Sequence, residues 1–167
     1  MKKTAIIVAC ILALITLVSC QDKGYDAKTE EAQNLYNDGK ILPAIRLLDE
    51  AIEKNDFKYE AYAMRGYFYW QLGNFECAVS DYKNAIKRGG KYYNYPLGKL
   101  FIDIGRPLDA VEYLNDYIKY DKKNPQVYVL LANIYQQSGD TCMANYVRDE
   151  GYEATGDEML KKPAGTD

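Results

Sequence analysis

Glycine recurs along this chain at Gly39, Gly73, Gly105 and Gly139, at intervals of 34, 32 and 34 residues, and five residues after each stands an alanine, Ala44, Ala78, Ala110 and Ala144. Two markers locked to one period constrain the fold more tightly than composition does. Repeats of about 20–50 residues form solenoids or arrays, in which each unit buries its apolar face only against its neighbours. Each period predicts two short helices broken at the glycine, over about 26–38, 41–54, 59–72, 75–88, 94–104, 107–121, 125–138 and 141–153. The glycine marks the turn, because a residue without Cβ takes a positive φ cheaply. The alanine has a packing reason, since a small side chain lets the two helices of a unit approach closely. Asn74 and Asp140 are placed as N-caps, and Pro107 sits at a first helical position.

These residues resemble the tetratricopeptide repeat (TPR) family. The second unit is the clearest, with Tyr62, Gly66, Tyr69, Gly73, Ala78, Tyr82 and Ala85 in the family's consensus places. The first supplies Leu35, Gly39, Ala44, Leu48 and Ala51; the third Leu97, Gly98, Phe101, Gly105, Ala110 and Leu114; the fourth Tyr128, Leu131, Ala132, Tyr135, Gly139 and Ala144. The resemblance implies an all-α, right-handed superhelical solenoid of about four helix-turn-helix units over 25–154, with units at about 25–58, 59–90, 91–124 and 125–154. The chain departs from the pattern at Tyr117 and Gly151, which replace a small alanine, and at Arg148, which stands where a large apolar residue is expected. The last two are what a polar capping helix at the end of a solenoid needs. The third unit is irregular at its start, where Gly89-Gly90-Lys91-Tyr92-Tyr93-Asn94-Tyr95-Pro96 delays the first helix to near Asn94 or Tyr95 and leaves three tyrosines exposed.

Ahead of the repeats, Met1-Lys2-Lys3 and the apolar run from Ala5 to Val18, broken only by Thr16, have the layout of a bacterial export signal over residues 1–19. A transmembrane helix needs about 20 apolar residues, and this run ends sooner, at polar Gln21-Asp22-Lys23-Gly24. Leu17-Val18-Ser19-Cys20 resembles the lipobox of bacterial lipoproteins. The resemblance implies acylation of Cys20, a lipidated tether at 20–24 and, with Gln21 rather than Asp after the cysteine, placement at the outer membrane. The segment 155–167 is expected to be a C-terminal tail, disordered from Lys161 on. Of the remaining cysteines, Cys77 and Cys142 fall two repeats apart, about 20 Å at 8–10 Å per helix layer, too far for a disulfide. They are expected as separate, half-buried thiols.

Catalytic and metal chemistry find little here. The chain has no histidine, which removes the commonest general base and zinc ligand. Ser80 and Ser138 have no base to activate them, and Gly98-Lys99 lacks the spacing of a phosphate loop. Acidic pairs such as Asp49-Glu50 and Asp149-Glu150 read as solvated helix faces. The formal charge of −3 becomes −5 once Lys2 and Lys3 leave with a leader that holds no acid, which argues against nucleic acid as a partner. No enzyme activity, cofactor or metal is expected.

The 17 tyrosines are the compositional outlier. Tyr62, Tyr69, Tyr82, Tyr128 and Tyr135 fall on repeat-core positions and read as packing. In the geometry that the family resemblance implies, the first helices of the units line a concave groove, whose partner-binding residues would include Tyr36, Met64, Tyr67, Trp70, Tyr92, Tyr95, Lys99, Ile102 and Asn133. Tyr, Trp and Met supply large contact area at small entropic cost. The expected function is that of a lipid-anchored adaptor that holds a protein or peptide partner for assembly of an envelope complex. The alternative is a surface lipoprotein that binds a glycan or small ligand through aromatic rings. The Lys, Asn and Arg clamp by which some TPR proteins hold the acidic tails of chaperones is replaced here by Thr29, Gln33, Ala63, Met64 and Tyr67.

Overall fold

The computed structural model describes residues 24–161; the export signal, Cys20 and the last six residues lie outside them. The described residues are helical at 24–37 (α1), Ile41–Lys54 (α2), Tyr59–Gln71 (α3), Phe75–Lys87 (α4), Asn94–Asp103 (α5), Pro107–Tyr120 (α6), Pro125–Gln137 (α7) and Thr141–Thr155 (α8), and they contain no strand. Short 3₁₀ turns stand at Lys91–Tyr93 and Glu158–Leu160. The residues predicted to end most helices are instead their C-caps, while α8 runs on to Thr155. The chain divides within α4 into two compact units, one through Asn84 and one from Ala85.

One turn closes all four hairpins. After α3, the Gly73 N–H donates to Trp70 O at 2.9 Å and the Asn74 N–H to Tyr69 O at 2.9 Å. These are the two crossed bonds of a Schellman cap, which needs a left-handed residue at its centre. Gly73 supplies it with φ +74, and the same bonds recur at Gly39, Gly105 and Gly139 with φ between +76 and +85. The residue after each glycine then starts the next helix. The Asn74 side chain accepts from the Cys77 N–H at 3.3 Å, Asp140 accepts from the Met143 N–H at 3.0 Å, and Pro107 opens α6. Asn124 and Pro125 start α7 in the same way. At Gly73-Asn74 and Gly139-Asp140 two residues thus reverse the chain and bond orphan groups of both helix ends, whereas Lys40 and Arg106 make no side-chain cap.

The four alanines that follow these turns, Ala44, Ala78, Ala110 and Ala144, are fully buried. In the first unit Tyr25, Ala32, Ile45, Leu48, Ala51, Ala61 and Phe68 join Ala44 in a core. The Tyr25 hydroxyl, deep in that core, accepts the Ala61 N–H at 2.8 Å and ties α1 to the start of α3. In the second unit α5 packs on α6, α6 on α7 and α7 on α8, around Leu97, Leu100, Leu114, Val127, Leu131 and Val147.

Two of the departures from the repeat pattern, at Tyr117 and Gly151, have steric causes. Helix α5 has 10 residues against 13 in α3 and α7, because the 3₁₀ turn precedes it. The Tyr117 ring, fully buried, lies 5.2 Å from that of Tyr95 at the start of α5 and takes the place of the usual alanine. Gly151 is buried against α7. A Cβ there would come within 2.6 Å of Tyr128 Cγ and 2.9 Å of Leu160 Cδ1. The 3₁₀ turn Glu158–Leu160 contacts both α7 and α8, and Leu160 is 1% exposed. The folded part therefore extends past 154 into the segment expected to be a tail, and the end of the core is closed by an apolar plug as well as by polar residues of α8.

Candidate functional site

In the first unit the structure joins two of the expected groove residues. Tyr36 of α1 donates its hydroxyl hydrogen to Tyr67 Oη of α3 at 3.3 Å, with ring centroids 5.6 Å apart. Tyr36 also stacks flat on Phe68, at 4.4 Å and 2° between planes, so a buried ring holds the half-buried Tyr36 in place. The shared hydrogen bond raises the Tyr36 phenol above its ordinary pKa, with desolvation acting in the same direction. Tyr67 is 40% exposed. Beside the pair, Gln33 Nε2 donates to Asn37 Oδ1 at 3.0 Å. Met64 is half-buried and packs against the core. Trp70 turns its ring edge to Tyr82 of α4 at 6.3 Å, so part of its surface is spent on packing.

In the second unit the tyrosines expected at a loosened helix start form a packed group. Tyr92 meets Tyr93, Tyr117 and Tyr120 edge-on at 5.6, 6.0 and 6.5 Å. Of the three expected to be exposed, only Tyr92 is, at 52%; Tyr93 and Tyr95 are half-buried. Desolvation raises the Tyr95 phenol, and Tyr92 adds to it. Tyr120, which the sequence reasoning did not single out, is 57% exposed and borders a pocket of about 450 Å³ with Ile86, Lys91, Asn94, Asp116 and Lys119. Its signal was available in the i, i+3 spacing from Tyr117, which puts both rings on one side of α6. Lys99 and Asn133 are exposed on α5 and α7, and Ile102 is half-buried.

A second missed feature is ionic. Arg65 of α3 forms a fork on Asp81 of α4, with Nε to Oδ2 at 2.8 Å and Nη2 to Oδ1 at 2.7 Å, while Nη1 reaches Asp49 of α2. Asp49, with a side chain 44% exposed, is partly solvated as expected but is also the outer partner of a three-helix ion network. Glu50 beside it pairs with Lys28, which lowers its pKa. Burial of Arg65 works against its charge, but the two carboxylates outweigh it and hold the guanidinium protonated. The usable signal was Gly66, whose lack of Cβ lets Asp81 approach α3; a Cβ there would lie 3.1 Å from Asp81 Cβ.

Both remaining cysteines are free thiols. Cys77 is half-buried as expected, whereas Cys142, in the first turn of α8, is exposed. Among the described residues no group of three or more Cys, Asp or Glu is placed to hold a metal ion, and no helix is long and apolar enough to cross a membrane.

Helical hairpins closed by one repeated glycine turn make this an all-α helical repeat protein. More particularly, the family model described as Tetratricopeptide repeat matches residues 29–93. Solved structures carry the same fold across most of the chain. One of MamA is similar with a TM-score of 0.71 at 18% identity, covering 86% of this chain and 85% of that one. MamA 41-end from Desulfovibrio magneticus RS-1 gives 0.70 at 17% identity, over 81% of this chain and 78% of that one. A tetratricopeptide repeat protein from Parabacteroides merdae ATCC 43184 gives 0.73 at 16% identity, over 83% of this chain and 56% of that one. No curated protein sequence matches the chain.

Proposed function

We propose that the protein is a lipid-anchored adaptor of the bacterial envelope, held at the outer membrane through acylated Cys20, which binds a protein or peptide partner through the first helices of its repeats. The observation that carries the reading is the Tyr36–Tyr67 pair, two rings from consecutive first helices, hydrogen-bonded to each other and braced from below by Phe68. Such rings lose little entropy on contact and present both an apolar face and a polar tip. Met64 and the Gln33–Asn37 pair give the same surface adaptable apolar and amide contacts. Lys99, Ile102 and Asn133 offer a smaller mixed surface in the second unit. The work is recognition and tethering, not catalysis.

A photoreactive residue at Tyr67 tests this directly. One recurrent crosslinked polypeptide, lost when Tyr36→Ala is added while helical content is unchanged, supports the adaptor; crosslinks indifferent to Tyr36 move the site elsewhere. For the anchor, Cys20→Ala is expected to release the protein from the membrane fraction, and full retention would refute acylation there.

A glycan reading keeps one observation in its favour, the pocket beside exposed Tyr120, where Lys91, Asp116 and Lys119 set polar groups next to an aromatic ring. Its test is a shift in melting temperature with an oligosaccharide panel, abolished by Tyr120→Ala. No shift with any sugar would remove it.

A further inference from the structure

We infer that the loop between α2 and α3, with Phe57 at its tip, is a membrane foot that seats in the headgroup region of the bilayer and sets the first unit end-on to it. The inference rests on the Cys20 anchor proposed above and adds a surface to it. Four residue steps separate Cys20 from Gly24, and at about 3.6 Å per extended residue they span at most about 14 Å. By Gly24 the chain is helical, and Tyr25 is already deep in the core of the first unit. Whatever lies beside the start of α1 is therefore held close to the acylated cysteine.

The neighbour of that start is the α2–α3 loop, which is fastened to it at several points. Lys58 Nζ donates to Asp26 at 3.1 Å and stands 4.5 Å above the Tyr25 ring. The Ala61 N–H is bound by Tyr25, and a Cβ on Gly24 would lie 3.1 Å from Lys54 Nζ. Between these fastenings Phe57 is 84% exposed, the most exposed of the large apolar side chains among the described residues. Its N–H donates to Asn55 Oδ1 at 3.2 Å, so the loop holds the ring outward by a local turn. An exposed ring costs little at a bilayer interface, where aromatic residues collect. Lys54, on a flexible stem at the same edge, can reach lipid phosphate.

The test uses the full-length lipoprotein, extracted in detergent and reconstituted into phosphatidylethanolamine–phosphatidylglycerol vesicles. The native tryptophan is removed by Trp70→Phe and single probes are introduced by Phe57→Trp or by Leu72→Trp. Leu72 is exposed at the far end of α3, whose 13 residues place it about 20 Å along the helix at 1.5 Å per residue. Phe57→Trp is expected to give blue-shifted emission quenched by lipids brominated near the headgroup, and Leu72→Trp to give neither. Protein that floats with the vesicles while the Phe57→Trp probe stays solvent-exposed overturns the foot and leaves the anchor standing. Quenching of both probes overturns the end-on seating, and protein that does not float overturns anchor and foot together.

Discussion

Set side by side, the first unit, through Asn84, and the second, from Ala85, put different chemistry at the same repeat positions. The residue before the small first-helix residue and the residue three after the turn alanine are Arg65 and Asp81 in the first unit. In the second they are Leu97 and Tyr113, and again Leu131 and Val147. The turns that frame them are the same in bonds and in φ. An arginine fork thus joins two helices in one unit, where apolar or aromatic side chains stand in the other, with Leu97 and Leu131 fully buried and Val147 nearly so. The lesson is that the hairpin frame is set by turns and small residues, and the frame then accepts either an ion pair or apolar filling. The two are not equivalent on failure, because a buried charge that loses its partner keeps its desolvation cost.

The largest effect is expected in the second unit. Tyr117→Ala removes a buried ring that touches Tyr92, Tyr95 and Tyr120 and should cost about 3–5 kcal/mol, as for other buried aromatic residues. Urea titration read by hydrogen exchange should show the loss first in α5 and α6, and a loss shared evenly along the chain would deny that the tyrosines form a local unit. Next comes Arg65→Ala, which leaves Asp81 buried without its fork and should cost about 3 kcal/mol. Arg65→Leu with Asp81→Val, which imports the chemistry of the second unit, should recover most of that, as the two chemical denaturation curves would report. If the double variant is no better than the single one, the frame does not accept both solutions.

Gly151→Ala should cost about 1–3 kcal/mol by forcing a methyl group against Tyr128 and Leu160. In a Leu160→Ala background the cost should fall, a coupling that a double-mutant cycle of thermal melts would measure. The smallest effect depends on pH and belongs to the first unit. Burial lifts the Tyr25 phenol from 10.0 to about 12, against the Ala61 hydrogen bond, which acts to lower it. A phenol raised in the folded state keeps its full contribution below pH 10 and loses it as pH climbs through 12. The thermal midpoint should drop over that range, and less steeply in Tyr25→Phe.

Much of the frame was legible in the residues, for identifiable reasons. The turn glycines are recognisable because φ near +75° is strained for any other residue. Asn74 and Asp140 are readable as caps because the bond from cap side chain to third N–H is local. The candidate site was legible only in part. Tyr36 and Tyr67 were named singly, but their mutual bond spans 31 residues and depends on how α1 and α3 dock. Asp49 looks like a surface charge in the sequence, because a charge on a helix face reads alike whether water or an arginine from another helix answers it. The Leu160 plug was missed because a lone leucine after the last helix has no period to betray it.

What the sequence determined alone is therefore what contacts over a few residues carry: the turns and caps of the helices, their approximate limits, and the small residues that let each hairpin close. Only the tertiary structure decided which side chains are spent on packing and which remain for a partner: Trp70 against Tyr82, Tyr117 in the place of an alanine, Phe57 left outside. The physical reason is one of range. Turn and cap energies depend on neighbours a few positions away, whereas burial depends on every element that comes to rest on a residue, and composition does not reveal which elements those will be.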